Sequence, residues 1–582
     1  MDTLSRGEWS RCSGELIQSP IVDGSPRRNS NVIIQHHHHQ QQKQQQPSIQ
    51  EESTSLLSSN NKIAIAYGTA ATTTHQNDKD DNDTPQRQQH RLSLADSSKI
   101  MYDEARHMIT LALPVIATYL LEMLPGIVSI ILVGHIHSSA NGGGEHVKEY
   151  MDAAALAVMY MNLTALSIGF GLASAMDTLC SNAFGAGELP QSAPLYLTTG
   201  CLVLAAAFGV ILILNLHATT ILIRLGQPPQ VAELAGIFVG YLVPGIPALL
   251  LYELVRKILQ AANIALPMLY CALGGNLLNA GLGYYWIYYS EPTAWSESVL
   301  GPDHWLGAAV ARTVGNLSFP IFLAIYLAVT GDWKQFWSTT TGDSNNTTTV
   351  EWFRQAIKGI PSFISLGVPG ALQLCFEWWA FEILALLSGL LPNAILAIGT
   401  NAILLNIASL VYMLYLGISI AANVRIGNAL GANQPQRAAL AGYLAMGLSV
   451  VASFFVATIL VVFRRALPFL FTHDKDIADY CSELLWIAAC FQLPDSINAT
   501  VQGVFRGSGR QHIGAWLNFV AYYVVGLPVG AGLAYGTSQG LRGLWIGVSV
   551  GLFVVGVMGA TVIVRSDWKK LAKDAIRRLL ED

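Results

Sequence analysis

The sequence predicts an all-α membrane protein: twelve transmembrane helices in two pseudo-symmetric six-helix lobes, preceded by a disordered N-terminal tail. Three observations carry that expectation. Apolar stretches of bilayer-spanning length recur from residue 108 onward, charge is scarce, and the second half of the chain repeats motifs of the first.

Hydrophobic residues make up 52% of the 582 positions and charged residues only 12%, too little charge to coat a soluble protein of this size. The net charge of −5 comes with no basic face, which excludes a nucleic-acid partner. Seven cysteines show no CxxC pairing, which argues against a disulfide framework or a zinc site. No HExxH or Walker loop is present, so no enzyme, cofactor or metal centre is expected. No charged segment followed by an apolar run opens the chain, and the first span is expected to direct insertion.

Residues 1–100 read as a polar cytoplasmic tail. They hold HHHHQQQKQQQ (36–46), taken as a low-complexity expansion rather than a metal site, and the acidic run NDKDDND (77–83). Twelve spans follow at about 108–134, 154–182, 195–221, 232–256, 264–289, 306–330, 361–390, 401–426, 439–463, 477–505, 513–535 and 541–564, bounded by Gly, Pro and charge clusters. They divide into an N-terminal lobe (101–335), a C-terminal lobe preceded by a cytoplasmic loop (336–565) and a short charged C-terminus (566–582). An even number of spans puts both termini on one side. Arg256, Lys257, Lys334, Arg354, Lys358, Arg425, Arg437, Arg506 and Arg510 fall on that side, against fewer basic residues opposite, so the termini are expected in the cytoplasm.

NAFGAGELPQSA (182–193) repeats as NALGANQPQRAA (428–439), an offset of 246 between Ala183 and Ala429. LALPVIATYLLE (111–122) parallels LGVPGALQLCFE (366–377), with Pro114 on Pro369 and Glu122 on Glu377. Six helices per repeat give the halves the same orientation in the membrane, with a binding cavity between them.

GFGLASAMDTLCSNAFGAGE (169–188), CFEWWAFEILALLSGLLPN (375–393), AANVRIGNALGAN (421–433), FRGSGRQHIGAWLNFVAYYVVGLPVG (505–530) and GLWIG (543–547) together resemble the eukaryotic branch of the multidrug and toxic compound extrusion family, over about residues 105–565. The resemblance implies two six-helix lobes and export of organic solutes against an inward proton or sodium flow.

A carboxylate near the bilayer centre costs about 2.5 to 3.5 kcal/mol on insertion scales, so each needs a reason. Glu377, mid-way along the seventh span beside Trp378 and Trp379, is the leading proton and substrate site, and the resemblance places the family's essential glutamate there. Glu382 and Asp495 match further acidic positions of the family. Glu122 stands where a family glutamine is expected, and two readings stay open: an extra proton site or a neutral carboxyl in a structural hydrogen bond. Ser129 occupies the region where bacterial relatives carry a cation-coupling aspartate. Trp378 and Tyr412 can offer ring faces to an organic cation. Asp177 and Arg425, at nearly matching repeat positions, are a candidate pair across the lobes at an inner gate, or else interfacial anchors. Glu253 and Arg256 read as a helix-end pair.

The expected function is secondary active antiport by a monomer in the lipid bilayer, exporting small organic solutes, cationic or amphipathic, in exchange for protons rather than sodium. A lipid or polyprenyl-linked substrate flippase of similar architecture is the alternative. The membrane is the plasma membrane or a vacuolar or lysosomal one, the latter suggested by the dileucine-like ESTSLL (52–57).

Overall fold

A computed structural model describes residues 85–136, 144–291, 293, 298–331 and 349–581. The histidine and glutamine tract, the acidic run and ESTSLL lie outside them. Twelve long helices follow one another: α1 (Pro85–Gly134), α2 (Val147–Ala186), α3 (Leu189–Leu216), α4 (Pro229–Ala261), α5 (Leu266–Tyr288), α6 (Gly307–Thr330), α7 (Ile360–Gly389), α8 (Ala394–Gly431), α9 (Pro435–Val462), α10 (Lys475–Ser508), α11 (Gln511–Gly536) and α12 (Leu541–Val564). Each expected span overlaps one of them; the third, expected to run to residue 221, passes the end of α3 into a separate short helix, Ala218–Arg224. Ten are apolar and long enough to cross a bilayer by composition alone. The other two are α5, diluted by glycine, asparagine and tyrosine, and α10, which carries Asp495, Arg506 and four charges in its first three turns.

Three boundaries differ from expectation. Residues 85–100, assigned to the tail by their polarity, continue α1, because no Gly or Pro interrupts PQRQQHRLSLADSSKIMYDEARHM after Pro85 and its residues are mostly good helix formers. The charged C-terminus forms α13 (Trp568–Glu581), capped by the Asp567 carboxylate accepting from the amides of Lys569 and Lys570 at 3.1 Å. Its apolar stripe, with Trp568, Ala572 and Ala575 buried, lies against the ends of α2, α8 and α9. The segment before α7 contains a short helix, Thr349–Lys358. The end of the bundle holding α13 and the start of α1 is called the base below.

The sequence repeat is a structural repeat. α2 ends with Gly187 at φ 81° and α8 with Asn433 at φ 56°, and both use the same pair of capping bonds: Gly187 N to Phe184 O with Glu188 N to Ala183 O, and Asn433 N to Leu430 O with Gln434 N to Ala429 O. α4 and α10 close alike, on Asn263 at φ 63° and Gly509 at φ 71°. Glycine and asparagine are the residues that enter this left-handed region most cheaply.

The repeats also meet through the motif that repeats. Gly185 lies against the Asn428 carbonyl, and its counterpart Gly431 lies against the Asn182 carbonyl; a Cβ at either glycine would overlap that backbone. Further links between the halves run from mid-helix to the base: Trp379 Nε1 to Leu163 O (3.3 Å), Thr178 Oγ1 to Arg506 O (2.5 Å), Gln511 Nε2 to Thr178 Oγ1 (2.8 Å) and Asn428 Nδ2 to Ala261 O (3.1 Å).

Candidate functional site

Glu377 lies near the middle of α7, 5% exposed, and Asp495 near the middle of α10, 4% exposed. The Tyr412 hydroxyl, from the middle of α8, donates to the Glu377 carboxylate. Asp495 is close enough for the two carboxylate charges to act on each other, and the Arg506 charge reaches Glu377 from further down α10. That guanidinium donates to Ser419 Oγ at 3.1 Å. Among the described residues no basic side chain stands within 4 Å of either carboxylate. The buried Tyr522 hydroxyl faces the same pair and has no hydrogen-bond partner. It is presented by a π-helical turn, Val520–Gly526, which inserts an extra residue into α11 and turns its face.

Immediately toward the base lies a set of buried amides. Gln502 Nε2 donates to Asn498 Oδ1 (3.0 Å) and Asn518 Oδ1 (2.6 Å), and Asn518 Nδ2 donates to the Gln373 carbonyl (3.0 Å). Gln373 sits one turn below Glu377 on α7. Asp495, Asn498, Gln502 and Arg506 fall at i, i+3, i+7 and i+11, one stripe of α10. Two carboxylates close together where water is scarce need a positive partner. Since no side chain supplies it within 4 Å, this place is suited to hold a proton, an inorganic cation or a cationic solute.

The equivalent place in the N-terminal lobe is built differently. Arg256 donates to both Glu122 oxygens at 2.8 and 2.6 Å and also binds Glu253, while Tyr252 donates to Glu122 at 3.3 Å. Lys257 pairs with Asp177 at 3.0 Å and with Glu253 at 3.4 Å, and the Arg256 guanidinium lies over the Tyr119 ring at 4.6 Å. Arg256, Glu253, Lys257 and Asp177 are each buried. Glu122 does not stand free: both of its oxygens accept from the Arg256 guanidinium. Glu253 and Arg256 are not a helix-end pair but the centre of a five-residue ion network, because α4 runs on to Ala261 and carries both inside. Arg256 and Lys257 likewise are not loop cations.

Asp177 and Arg425 do not meet. Asp177 is taken by Lys257, and Arg425 binds Glu104 at 2.5 and 2.8 Å, joined there by Arg437 at 2.9 Å. Glu104, 2% exposed on α1, thus ties the N-terminal lobe to α8 and α9 at the base. Its place in a polar stretch before the first apolar run held no sign of this role. Glu382 is partly buried without a hydrogen bond and is not among the charges acting on Glu377; a separation of five residues carries it round α7. Trp378 is partly buried and makes no ring contact or hydrogen bond with the cluster. Arg506, Tyr522 and the amides were not singled out as site residues from sequence, although the polar stripe of α10 was there to be read.

The MatE family model matches residues 114–285 and 369–531. Multidrug and toxin extrusion protein 1 of Danio rerio is 33% identical over 475 residues, covering 82% of this chain and 74% of that protein. Protein DETOXIFICATION 3 of Arabidopsis thaliana is 32% identical over 477 residues, covering 82% and 93%. The crystal structure of the eukaryotic MATE transporter AtDTX14 superposes with a TM-score of 0.73 at 28% identity, over 82% of this chain and 100% of that one. With its repeat of six helices, its pair of uncompensated carboxylates and these matches over most of its length, the chain belongs to the MatE family of multidrug and toxin extrusion transporters.

Proposed function

We propose that this multi-pass membrane protein is a proton-coupled antiporter that exports small organic solutes, cationic or amphipathic, by alternating access between its two lobes. The observation that carries the reading is the buried pair Glu377 and Asp495, held by Tyr412 and left without a basic partner within 4 Å. A proton needs only one such carboxyl, whereas sodium needs several oxygens gathered around it. A proton taken up from the opposite end displaces the cargo, and a second set of contacts then opens the base. The name of the Danio rerio relative, an extrusion protein for drugs and toxins, supports the direction of transport and the breadth of cargo. We place the base in the cytoplasm, since α13 carries Lys569, Lys570, Lys573, Arg577 and Arg578 there. The plasma membrane or a vacuolar or lysosomal membrane fits that orientation.

Full-length protein in liposomes tests the reading. A pH gradient should drive efflux of an organic cation, and Glu377→Gln should abolish it while the protein stays monodisperse; efflux unchanged in that variant overturns the assignment. At fixed sodium, transport should fall as the outside is made alkaline. Efflux that follows a sodium gradient at constant pH overturns the coupling ion.

A further inference from the structure

Arg312 is a half-buried cation that neither ion system uses. It lies five residues into α6 from the end opposite the base, and its side chain points toward α1 and α2: a methyl group at Gly126 would stand 3.9 Å from Arg312 Nη1 and 3.7 Å from Val158. Nη1 thus lies beside the backbone of α1 at Gly126, at a distance a Cβ there would meet in ordinary van der Waals contact. Nη1 is sealed from solvent and has no hydrogen-bond partner, and the other two nitrogens, also without a hydrogen bond, stay accessible. Among the described residues no carboxylate stands within 4 Å, in contrast to Arg256, which has two.

Desolvating a guanidinium without an anion is among the more costly arrangements a fold can keep. Its neighbours on α6 are the buried ones: Thr313 donates to the Tyr241 carbonyl at 2.6 Å toward α4 and Ala311 packs near Gly283 of α5, which leaves Arg312 between them on the side of α1 and α2. A planar fork of donors at a half-open place is matched to a small monovalent anion, above all to a carboxylate.

We propose that Arg312 forms an anion subsite in the N-terminal lobe, which takes either the carboxylate of an amphipathic cargo or a free halide. This rests on the antiporter reading only for its cargo: Glu377 and Asp495 stand in one lobe and Arg312 in the other, so the two lobes carry uncompensated charges of opposite sign.

Benzoate and sodium chloride are titrated separately, by calorimetry, into the purified full chain in Hepes buffer without added halide, and then benzoate in the presence of chloride. The wild type should bind at least one of them saturably. Arg312→Gln should weaken binding at least tenfold, and Arg312→Lys should restore part of it. Benzoate binding that chloride does not displace assigns the subsite to cargo; chloride binding, or displacement by chloride, assigns it to a resident halide, and both support the subsite. Absence of binding by the wild type up to 50 times the roughly millimolar range expected of a single ion pair, or undiminished binding in Arg312→Gln, overturns it. Arg312→Gln removes an uncompensated charge and should fold, which its elution as a monodisperse species checks. Proton-driven efflux of a cation without a carboxylate should persist in Arg312→Gln, so failure of the subsite and failure of the antiporter reading are told apart.

Discussion

The two lobes place a glutamate at the same point of the repeat and treat it in opposite ways. In the N-terminal lobe Glu122 receives two hydrogen bonds from Arg256, and Glu253, Lys257 and Asp177 complete a network in which every charge has an opposite within 4 Å. In the C-terminal lobe Glu377 has a tyrosine hydroxyl and a second carboxylate for company. The repeat offset shows where the difference arises: Arg256 corresponds to Gln502, Lys257 to Gly503 and Glu253 to Ala499. Under the proposed function one frame carries a locked lobe and a responsive one: charge compensation in the first gives rigidity, and its omission in the second leaves room for a moving ion. A buried carboxylate is consequently informative only together with its partners.

That comparison can be broken most directly at Arg256. Arg256→Ala strands Glu122 and leaves Glu253 with Lys257 alone, and loss of one partner of a buried pair costs about 3 to 5 kcal/mol. The variant should fail to yield monodisperse protein, whereas Glu377→Gln should not; a normal yield would mean that the network is not structural. Changing Glu122 and Glu253 to Gln together with Arg256→Met should recover much of the yield.

Gln502→Arg sharpens it from the other side, because it installs in the C-terminal lobe the cation that the N-terminal lobe has. Efflux should fall to the level of Glu377→Gln with folding kept, and near-wild-type efflux would show that compensation does not govern the responsive lobe. At the seam, Gly431→Val drives a branched side chain into the Asn182 backbone. The base should then close poorly, seen as faster labelling of the buried Cys180 by a thiol reagent applied from the base side together with slower efflux. The smallest effect is expected at Glu483, whose pair with Arg542 is about half exposed: Glu483→Ala should change stability by less than about 1 kcal/mol in thermal unfolding.

Much of the fold was legible in the chain. All twelve helices appear where apolar runs of spanning length stand, since a bilayer admits few other structures for such segments. The polar ends of that pattern were read less well. Residues 85–100 and 568–581 look like tail by composition yet are helical, because helix formation depends on the absence of breakers and, for α13, on an apolar stripe that average polarity conceals. At the site, Glu377, Asp495 and Tyr412 were singled out from sequence and stand together, while Trp378 and Glu382 belong to other faces of α7.

The sequence by itself determined the order of the twelve long helices, the repeat and the positions of the intramembrane charges, because each is a property of composition and spacing along one chain. Tertiary structure alone decided which charges are answered. Glu104 with Arg425, Asp177 with Lys257 and Glu122 with Arg256 join different helices, and among the described residues no helix brings a carboxylate to Arg312. Attraction between buried charges acts over a few ångströms, and those distances are set by how helix faces rotate and pack against each other, which spacing along the chain does not specify.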